Sequence, residues 1–336
     1  MNKYTIIYPE THQHLGLFKD LENRTDVELI VTRRKKVSNW VLKFLEKVHT
    51  SSVVNKKIRL PKKDIWYEKI AINHTMKIKT HYIIIFDAAI KALDQKATNT
   101  LFQKPNVQGI LILINSMNAD SAGMIDVKSL MNRFKWTCIY SFDPKDVSFY
   151  GFRKIQYSYY SMVPIEQIIT TSNLSIEEKK VYFIGGVKGN REKTLMNICQ
   201  ALINHNIRAE FEILLSGTKR LQKKKAIDGI HYFTGGWIEY KRILEKVIKS
   251  TCILEILQDG QSGPSLRYFE AVCYNKKLIT NNPNIVNLPY YNNHYMKIIH
   301  NEADIDYDWI LNDNECVNYH YAGDFSPTHL LEYISK

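Results

Sequence analysis

Short apolar runs rich in β-branched residues recur along the first half of the chain, and stretches compatible with helices separate most of them. These runs predict five strands, over Tyr4–Tyr8, Val27–Thr32, His81–Phe86, Gly109–Ile114 and Lys135–Tyr140. Strands that alternate with helices are typical of a parallel sheet built from βαβ units. We therefore expect the first half of the chain to form an open α/β sheet.

The second half of the chain repeats this pattern. Apolar runs predict strands over Lys180–Ile184, Ala209–Leu215, Thr251–Leu257 and Lys277–Thr280. Helical periodicity predicts helices between them, over Arg191–Asn204, Tyr240–Lys249 and Pro264–Tyr274. Two successive open sheets predict an α/β protein with two Rossmann-like domains facing across a cleft, where ligands bind beyond the carboxyl ends of the strands.

Regular periodicity lapses in a polar stretch between the two halves. We therefore predict an N-terminal domain over 1–160, a linker over 161–179, a second domain over 180–325 and a short closing helix within 326–336.

Composition excludes two classes of protein. Hydrophobic residues make up 45% of the 336 residues, which is too apolar for a mainly disordered chain. No apolar run reaches the roughly 18–20 residues of a membrane-spanning helix, and the first apolar run is too short for the core of a signal peptide. The five cysteines are widely spaced, which fits reduced thiols and a cytoplasmic location.

The net charge of +12 arises entirely in the first half of the chain. Segment 33–63 carries eleven basic residues against one acid, Glu46. Such a patch is typical of a protein that meets nucleic acid, an anionic membrane surface or a phosphorylated substrate. We predict a membrane or acceptor patch from these residues: Arg33, Arg34, Lys35, Lys36, Trp40, Lys56, Lys57, Arg59, Lys62 and Lys63.

A helical apolar stripe runs through this basic segment. Its members recur three or four residues apart: Val37, Trp40, Val41, Phe44, Leu45 and Val48. Two interpretations remain open at this point. Either the stripe packs on the first sheet and the lysines lie in water, or the helix lies in the headgroup layer of a membrane.

A strand in the second half runs into a glycine-containing turn and then a helix. Gly185 and Gly186 allow close approach of a ligand to the backbone, and Lys188 and Arg191 add positive charge beside the helix N-terminus. Helix N-termini favour anions. The pattern is neither the dinucleotide-binding fingerprint nor a Walker loop, so a plain turn with solvated lysines remains the alternative.

A second strand, turn and helix follow at 252–273. Ser265 and the backbone amides at the helix start predict an anion site, with Pro264 at the first helical position. Arg267 and Glu270 share one helix face. An arginine fork suits a diphosphate, and a carboxylate one turn later suits the hydroxyls of a ribose. The alternative is an ion pair on the surface of an amphipathic helix.

This second element carries a resemblance to a known family. Gly263-Pro-Ser-Leu-Arg-Tyr-Phe-Glu-Ala-Val, with Asn275-Lys-Lys-Leu-Ile-Thr-Asn-Asn, resembles the donor-binding element of GT-B glycosyltransferases, which have two Rossmann-like domains. Tyr140-Ser-Phe-Asp-Pro-Lys-Asp and Ser250-Thr-Cys-Ile-Leu-Glu-Ile are similar to stretches in bacterial capsule, lipopolysaccharide and exopolysaccharide glycosyltransferases. Many GT-B enzymes carry a glutamate where this chain has Gly263, seven residues before Glu270.

The resemblance implies transfer of a sugar, such as a hexose, from a nucleotide-sugar donor to a hydroxyl of a lipid-linked bacterial surface glycan. It implies no cofactor and no metal, because basic side chains and amides take the charge of the leaving diphosphate. A base for the acceptor hydroxyl is expected on the first domain. The candidates Asp87, Asp143 and His14 follow predicted strands, although an aspartate there is also a common helix cap.

Other functions stay open. Asp304, Asp306 and Asp308 superficially match the Asp-x-Asp metal motif of another glycosyltransferase class, but we expect a solvated acidic loop there. The main alternatives are a basic nucleic-acid-binding protein and a catalytically inactive relative of the enzymes. No nucleic-acid-binding motif supports the first alternative. We expect the protein to lie peripherally at the inner face of the cell membrane.

Overall fold

The computed structural model describes residues 1–10, 16–58, 60–75, 77–117, 127–155, 179–187, 190–215, 227–234, 238, 240–312 and 316–336. The chain divides into two compact units. Unit 1 comprises Met1–Ser161 together with Phe325–Lys336, and unit 2 comprises Met162–Asp324. Each unit is built around its own parallel sheet.

The sheet of unit 1 has six parallel strands in the order β2-β1-β3-β4-β5-β6. The strands are β1 Lys3–Pro9, β2 Val27–Thr32, β3 His81–Phe86, β4 Val107–Leu113, β5 Cys138–Ser141 and β6 Arg153–Lys154. In the central strands nearly every side chain is buried, as expected where helices and turns cover both faces of a parallel sheet.

The sheet of unit 2 also has six parallel strands, in the order β12-β11-β10-β7-β8-β9. The strands are β7 Lys180–Gly186, β8 Arg208–Leu215, β9 Ile230–Thr234, β10 Cys252–Glu255, β11 Lys277–Thr280 and β12 Met296–Ile298. Both sheets confirm the predicted α/β class. The edge strands β6, β9 and β12 were not predicted. Strand β6, Arg153–Lys154, contains no apolar residue, and β12 is only three residues long.

Helices connect the strands in both units. They are α1 Trp40–Thr50, α2 Ser52–Lys57, α3 Gln95–Phe102, α4 Pro144–Tyr150, α5 Arg191–Asn204, α6 Tyr240–Lys249, α7 Leu266–Cys273, α8 Tyr307–Leu311 and α9 Pro327–Ser335. Among the helices described, none is both long and apolar enough to cross a bilayer. The predicted bounds of α5 and α6 are correct.

Local sequence explains how helices seat on the sheets. In α5, Leu195, Ile198, Cys199 and Leu202 are buried and recur on one helical face. In unit 1, the ring of Phe102 packs directly on β4 at Gly109. A Cβ at Gly109 would lie 2.6 Å from Phe102 Cε2, so only glycine allows α3 to approach β4 this closely.

Candidate functional site

The carboxyl ends of the unit 2 strands lie at one edge of the sheet because all six strands are parallel. β7 ends at Gly186, β10 at Glu255 and β11 at Thr280. Glu255 and Thr280 put polar side chains at the ends of β10 and β11, and Arg191 begins the helix after β7. Such an edge is where ligands bind in open α/β sheets.

The glycine pair belongs to the end of β7 rather than to the turn after it. Gly185 and Gly186 keep the parallel register opposite Ile213 and Leu214 of β8. A Cβ on Gly185 would lie 3.3 Å from Arg191 Nη2. Gly185 therefore leaves room for an arginine side chain. Lys188 and the neighbouring Gly189 lie outside the described residues.

Arg191 begins α5 and turns its guanidinium back onto β7. Its Nη1 donates a 2.7 Å hydrogen bond to the Gly186 carbonyl oxygen, and its Nε has no hydrogen-bond partner among the described residues. Burial lowers the pKa of Arg191 to about 10, the negative charge of Glu255 opposes this shift, and the positive charge of Arg267 adds to it. The charges of Arg191 and Arg267 thus act on each other at this edge. Asn190 precedes the helix without a side-chain capping hydrogen bond.

Glu255 ties together the ends of two strands and the start of α7. Its buried carboxylate accepts hydrogen bonds from the Ser265 amide at 2.7 Å and from Thr280 Oγ1 at 2.6 Å. Burial raises the pKa of this carboxyl group above its usual range. No role was predicted for Glu255, although an acid at the end of an otherwise apolar strand indicates one.

The start of α7 differs from the prediction. Ser265, not Pro264, is adjacent to the first helical residue, and the Ser265 hydroxyl accepts a 3.2 Å hydrogen bond from the Arg267 amide. The Ser265 amide is bonded to Glu255, so it is not free to bind an anion as expected. The buried Gly263 lies in the preceding turn, where its carbonyl accepts from Gln261 Nε2 at 3.1 Å.

Arg267 and Glu270, the second and fifth residues of α7, form a buried ion pair. Arg267 Nη1 lies 2.6 Å from Glu270 Oε2, and the two residues are 7% and 0% exposed. The Tyr240 hydroxyl of α6 donates to Glu270 Oε1 at 3.0 Å. Burial raises the pKa of Glu270 to about 7, while Arg267 and then Tyr240 oppose the shift. The alternative interpretation, an ion pair on the surface of an amphipathic helix, is therefore wrong, because both side chains are shielded from solvent.

Asp87 follows β3 at the carboxyl edge of the unit 1 sheet. Its Oδ2 accepts hydrogen bonds from the Ile114 and Asn115 amides and from Asn115 Nδ2, at 3.1 to 3.2 Å. Its Oδ1 is buried and has no hydrogen-bond partner among the described residues. Burial raises the pKa of Asp87 to about 6 against the lowering effect of these hydrogen bonds.

Two further aspartates of unit 1 hold its loops. Asp143 precedes α4, and its carboxylate accepts a 2.9 Å hydrogen bond from the Lys145 amide, which is the capping role weighed above. Asp146, which the sequence analysis missed, accepts from the Met117 amide and from Ser141 Oγ. His14 lies outside the described residues.

The basic segment is mostly solvent-exposed. Helix α1 has no buried residue, and its apolar stripe is exposed. Packing of this stripe on the first sheet is therefore excluded. Lys63 was predicted to be part of the surface patch, but it is only 4% exposed. Burial lowers the pKa of Lys63 to about 8, and the positive charges of Lys91 and Arg133 lower it further.

Most of the other residues of the predicted membrane or acceptor patch are exposed, and two of them cannot be placed from the described residues. Arg59 and the side chain of Lys56 are outside the described part of the chain. The exposed members are Arg33, Arg34, Lys35, Lys36, Trp40, Lys57 and Lys62.

Grouped metal-ligand side chains are absent from the part of the chain that the structure describes. Two aspartates of the superficial metal motif cap helices instead, and Asp308 lies in the first turn of α8. Asp304 accepts from the His300 and Asn301 amides, and Asp306 Oδ1 accepts from the Trp309 amide.

Comparison with known proteins gives structural likeness without sequence likeness. No protein-family model matches the chain, and no curated protein matches it. An alpha-glucosyltransferase in complex with UDP and a 13-mer DNA is similar over 100% of both chains, at 12% identity and a TM-score of 0.57. S. aureus MnaA bound to UDP is similar over 100% of this chain and 97% of MnaA, at 14% identity and a TM-score of 0.50.

A third solved structure is longer than this chain. A variant of S. aureus TarM, in complex with Fondaparinux, alpha-GlcNAc-glycerol and UDP, matches 71% of this chain at 12% identity and a TM-score of 0.42. This chain spans 50% of the length of that TarM chain. The full-length likenesses and the two parallel six-stranded sheets show that the chain has the GT-B fold.

Proposed function

We propose that this protein is a glycosyltransferase that moves a sugar, such as a hexose, from a nucleotide-sugar donor to an acceptor hydroxyl. The observation that carries the proposal is the buried Arg267–Glu270 pair with Arg191 at the carboxyl edge of a GT-B unit. The UDP in the alpha-glucosyltransferase and MnaA structures supports a nucleoside diphosphate as the ligand.

The proposed role of unit 2 is to bind the nucleoside diphosphate, which is the leaving group of the reaction. The bond between the anomeric carbon and the diphosphate oxygen breaks, and negative charge builds up on the diphosphate. Arg267 and Arg191 supply positive charge there without a metal ion. Glu270 has its orientation fixed by Tyr240 and accepts hydrogen bonds from the ribose hydroxyls. Ser265, Gly185, Gly186, Gly263 and Lys188 complete the proposed donor site.

Asp87 is the proposed base for the acceptor hydroxyl. It takes the proton as the acceptor oxygen bonds to the anomeric carbon. With a pKa raised to about 6, Asp87 is ionised at neutral pH, and it is a stronger base than an ordinary aspartate. Its Oδ2 holds the loop after β4, and its buried Oδ1 has no hydrogen-bond partner among the described residues. Asp143 and His14 remain the other candidates.

The proposed acceptor is a lipid-linked bacterial surface glycan at the inner face of the cell membrane. The exposed cations of segment 33–63 support this proposal. Each lysine or arginine near an anionic leaflet contributes about 1 kcal/mol of binding free energy. Several such residues suffice for reversible peripheral attachment.

DNA is a second candidate acceptor. The net charge of +12 and the full-length likeness to an alpha-glucosyltransferase in complex with DNA favour it. Sugar transfer to DNA needs a free hydroxyl on the nucleic acid, and unmodified bases in a duplex have none. The two candidates are separated by incubating the protein and a radiolabelled donor with membrane lipid extract or with duplex DNA that carries a base hydroxyl.

Thermal unfolding with a panel of nucleotides tests the donor site. UDP, GDP, CMP and their sugars are added in turn, and at least one is expected to raise the melting temperature of the wild type. Arg267→Met should abolish this rise, whereas Arg208→Met, which removes a charge at the amino end of β8, should retain it. If no nucleotide raises the melting temperature of the wild type, the proposal of a donor site in unit 2 is wrong. Binding without turnover of any labelled donor would identify an inactive relative.

A chelator tests the proposed independence from metal. We expect labelled-sugar transfer to persist after exhaustive treatment with EDTA, since arginines supply the charge at the leaving group. Loss of transfer that added Mg²⁺ or Mn²⁺ restores would contradict this part of the proposal.

A further inference from the structure

Helix α1 presents an apolar stripe to solvent. Trp40 is 78% exposed, Phe44 61% and Leu45 48%. Val41 at 42% and Val48, which is partly exposed, complete the same face. These residues recur at three- and four-residue intervals, so they form one continuous side of the helix.

The opposite side of α1 attaches the helix to unit 1. Trp66 Nε1 donates a 2.6 Å hydrogen bond to His49 Nδ1, and Glu46 Oε1 lies 3.3 Å from Arg34 Nη1. The next helix is tied in as well, since Asn55 Nδ2 donates to the His49 carbonyl oxygen at 2.9 Å. With 3.6 residues per turn, His49 and Glu46 lie across the helix from Trp40 and Phe44. The apolar stripe therefore faces outward in a fixed orientation.

Positive charge lies along one border of this stripe and in the segment just before the helix. Lys43 and Lys47 are exposed and lie along one border of it. Arg33, Arg34, Lys35 and Lys36, just before the helix, are exposed as well. Two isoleucines of the basic segment and the turn after it are also exposed, Ile58 at 63% and Ile65 at 47%, and Lys35 Nζ donates to the Ile65 carbonyl oxygen at 2.9 Å.

We propose that the outward face of α1 inserts into the interfacial layer of an anionic bilayer, with Trp40, Phe44 and Leu45 among the acyl chains and the bordering lysines Lys43 and Lys47 among the headgroups. A membrane surface offers an apolar layer directly beneath a negative one, which matches the stripe and its border. A second copy of the chain would bring its own cations against these. A nucleic acid backbone would leave the aromatic and aliphatic side chains uncovered.

This inference rests on the proposed function only for its purpose, which is to bring a membrane-held acceptor to the enzyme. Helix α1 follows the carboxyl end of β2, with residues 33–39 between them. The short 3-10 segment Asp87–Ala92, with the proposed base, begins directly after the carboxyl end of the parallel strand β3. α1 therefore anchors the edge of unit 1 where the acceptor is proposed to react.

Co-sedimentation of the full-length protein with vesicles tests the proposal. We expect binding to vesicles of phosphatidylcholine and phosphatidylglycerol, and little binding to phosphatidylcholine alone. Trp40→Ser with Phe44→Ser should weaken the partition coefficient about tenfold or more. The matched control is Phe149→Ser, since Phe149 of α4 is 80% exposed in the same unit, and it should stay within about twofold of the wild type.

A charge series tests the border of the stripe. Lys43→Gln with Lys47→Gln should weaken binding to the anionic vesicles more than Lys96→Gln with Lys104→Gln does, because the latter pair is exposed but remote from α1 in the sequence. Unchanged circular dichroism and melting temperature show that each variant is folded. Failure of the nucleotide panel would count against the proposed function and would leave the vesicle result intact.

Three outcomes would overturn the proposal. One is equal binding by wild type and the Trp40/Phe44 variant. Another is a concentration-dependent dimer that this variant dissociates, with no binding to vesicles. The third is binding of the protein to duplex DNA but not to vesicles, where the lysine substitutions weaken DNA binding and the aromatic substitutions do not.

Discussion

Arg267 and Glu270 place two opposite charges in a nearly solvent-free position, 2.6 Å apart. A buried carboxylate that loses its cation is costly, and removing one member of a buried pair typically destabilises a protein by about 3–5 kcal/mol. The pair therefore contributes to the fold as well as to the proposed donor site, and variants need a stability measurement beside the activity assay.

Arg267→Met should lower the free energy of unfolding by about 3 kcal/mol at neutral pH. The loss should be larger at pH 8 than at pH 5, because the pKa of Glu270 is already raised to about 7 and rises further without the arginine. Urea unfolding at the two pH values measures this. Adding Glu270→Gln to the variant should recover part of the loss and remove its pH dependence; a loss that is the same at both pH values would contradict the role of the pair.

Asp87 predicts a second dependence on pH. Its pKa is near 3.9 in the unfolded chain and about 6 in the folded protein. The folded state thus holds the proton to higher pH, and the free energy of unfolding falls as pH rises from about 4 to about 6. Asp87→Asn removes this fall, so the stability of the variant relative to wild type should improve by about 2 kcal/mol between pH 4 and pH 7.5.

Urea unfolding of both proteins across this pH range checks the change. A constant difference between them would show that the Asp87 carboxyl group has an ordinary pKa. The same variant should lose sugar transfer if Asp87 is the base, whereas Asp143→Asn, which retains an oxygen to cap α4, should lose little.

The aspartates illustrate what the sequence predicts at single positions. The position after an apolar strand was enough to select Asp87 and Asp143 as candidates. This position did not show that Asp143 caps a helix whereas Asp87 is a buried carboxylate with one unpartnered oxygen. That distinction depends on the amides of Ile114 and Asn115, which follow a different strand, β4.

At the scale of elements, α1 and α3 both have a side-chain cap at the N-terminus but differ in how much they pack into the core. Asn39 caps α1 by accepting from the Val41 and Leu42 amides at 2.8 and 3.4 Å, and α1 buries no residue. Asp94 caps α3 by accepting from the Ala97 amide at 2.7 Å, and α3 buries Phe102 in the core.

The two caps should therefore respond differently to substitution. Asn39→Ala should weaken α1 locally by about 1 kcal/mol, and we expect faster hydrogen exchange over 41–50 with an unchanged midpoint of global unfolding. Asp94→Ala should lower the global midpoint, because α3 belongs to the packed core. A fall in global stability with Asn39→Ala would show that α1 is part of the cooperative unit.

Periodicity predicted those elements that bury one face. The bounds of α5 and α6 are correct because a buried stripe recurs through each whole helix. For α7, the sequence placed the start at Pro264, whereas the fold starts it at Leu266 because Glu255 holds the Ser265 amide. The contact between Glu255 and Ser265 joins a strand end to a helix start, and no local pattern contains it.

At the scale of the molecule, two separate cores should unfold as two events. Unit 1 and unit 2 each have their own sheet and their own cluster of buried side chains. We expect calorimetry to resolve two transitions, and saturating UDP to raise only that of unit 2. A ligand at 100 times its dissociation constant stabilises by about 2.7 kcal/mol. A single transition that shifts as a whole with UDP would show that the units unfold together.

The sequence by itself determined the α/β class, the two parallel sheets, most strand positions and the concentration of charge in segment 33–63, because these follow from local periodicity and composition. Only the tertiary structure decided that the stripe of α1 faces solvent, that Lys63 is buried and that Arg267 and Glu270 form a buried pair. Periodicity shows that a helix has an apolar face, but not which surface covers it. That depends on contacts between residues far apart in the chain, such as His49 with Trp66 and Glu255 with Thr280.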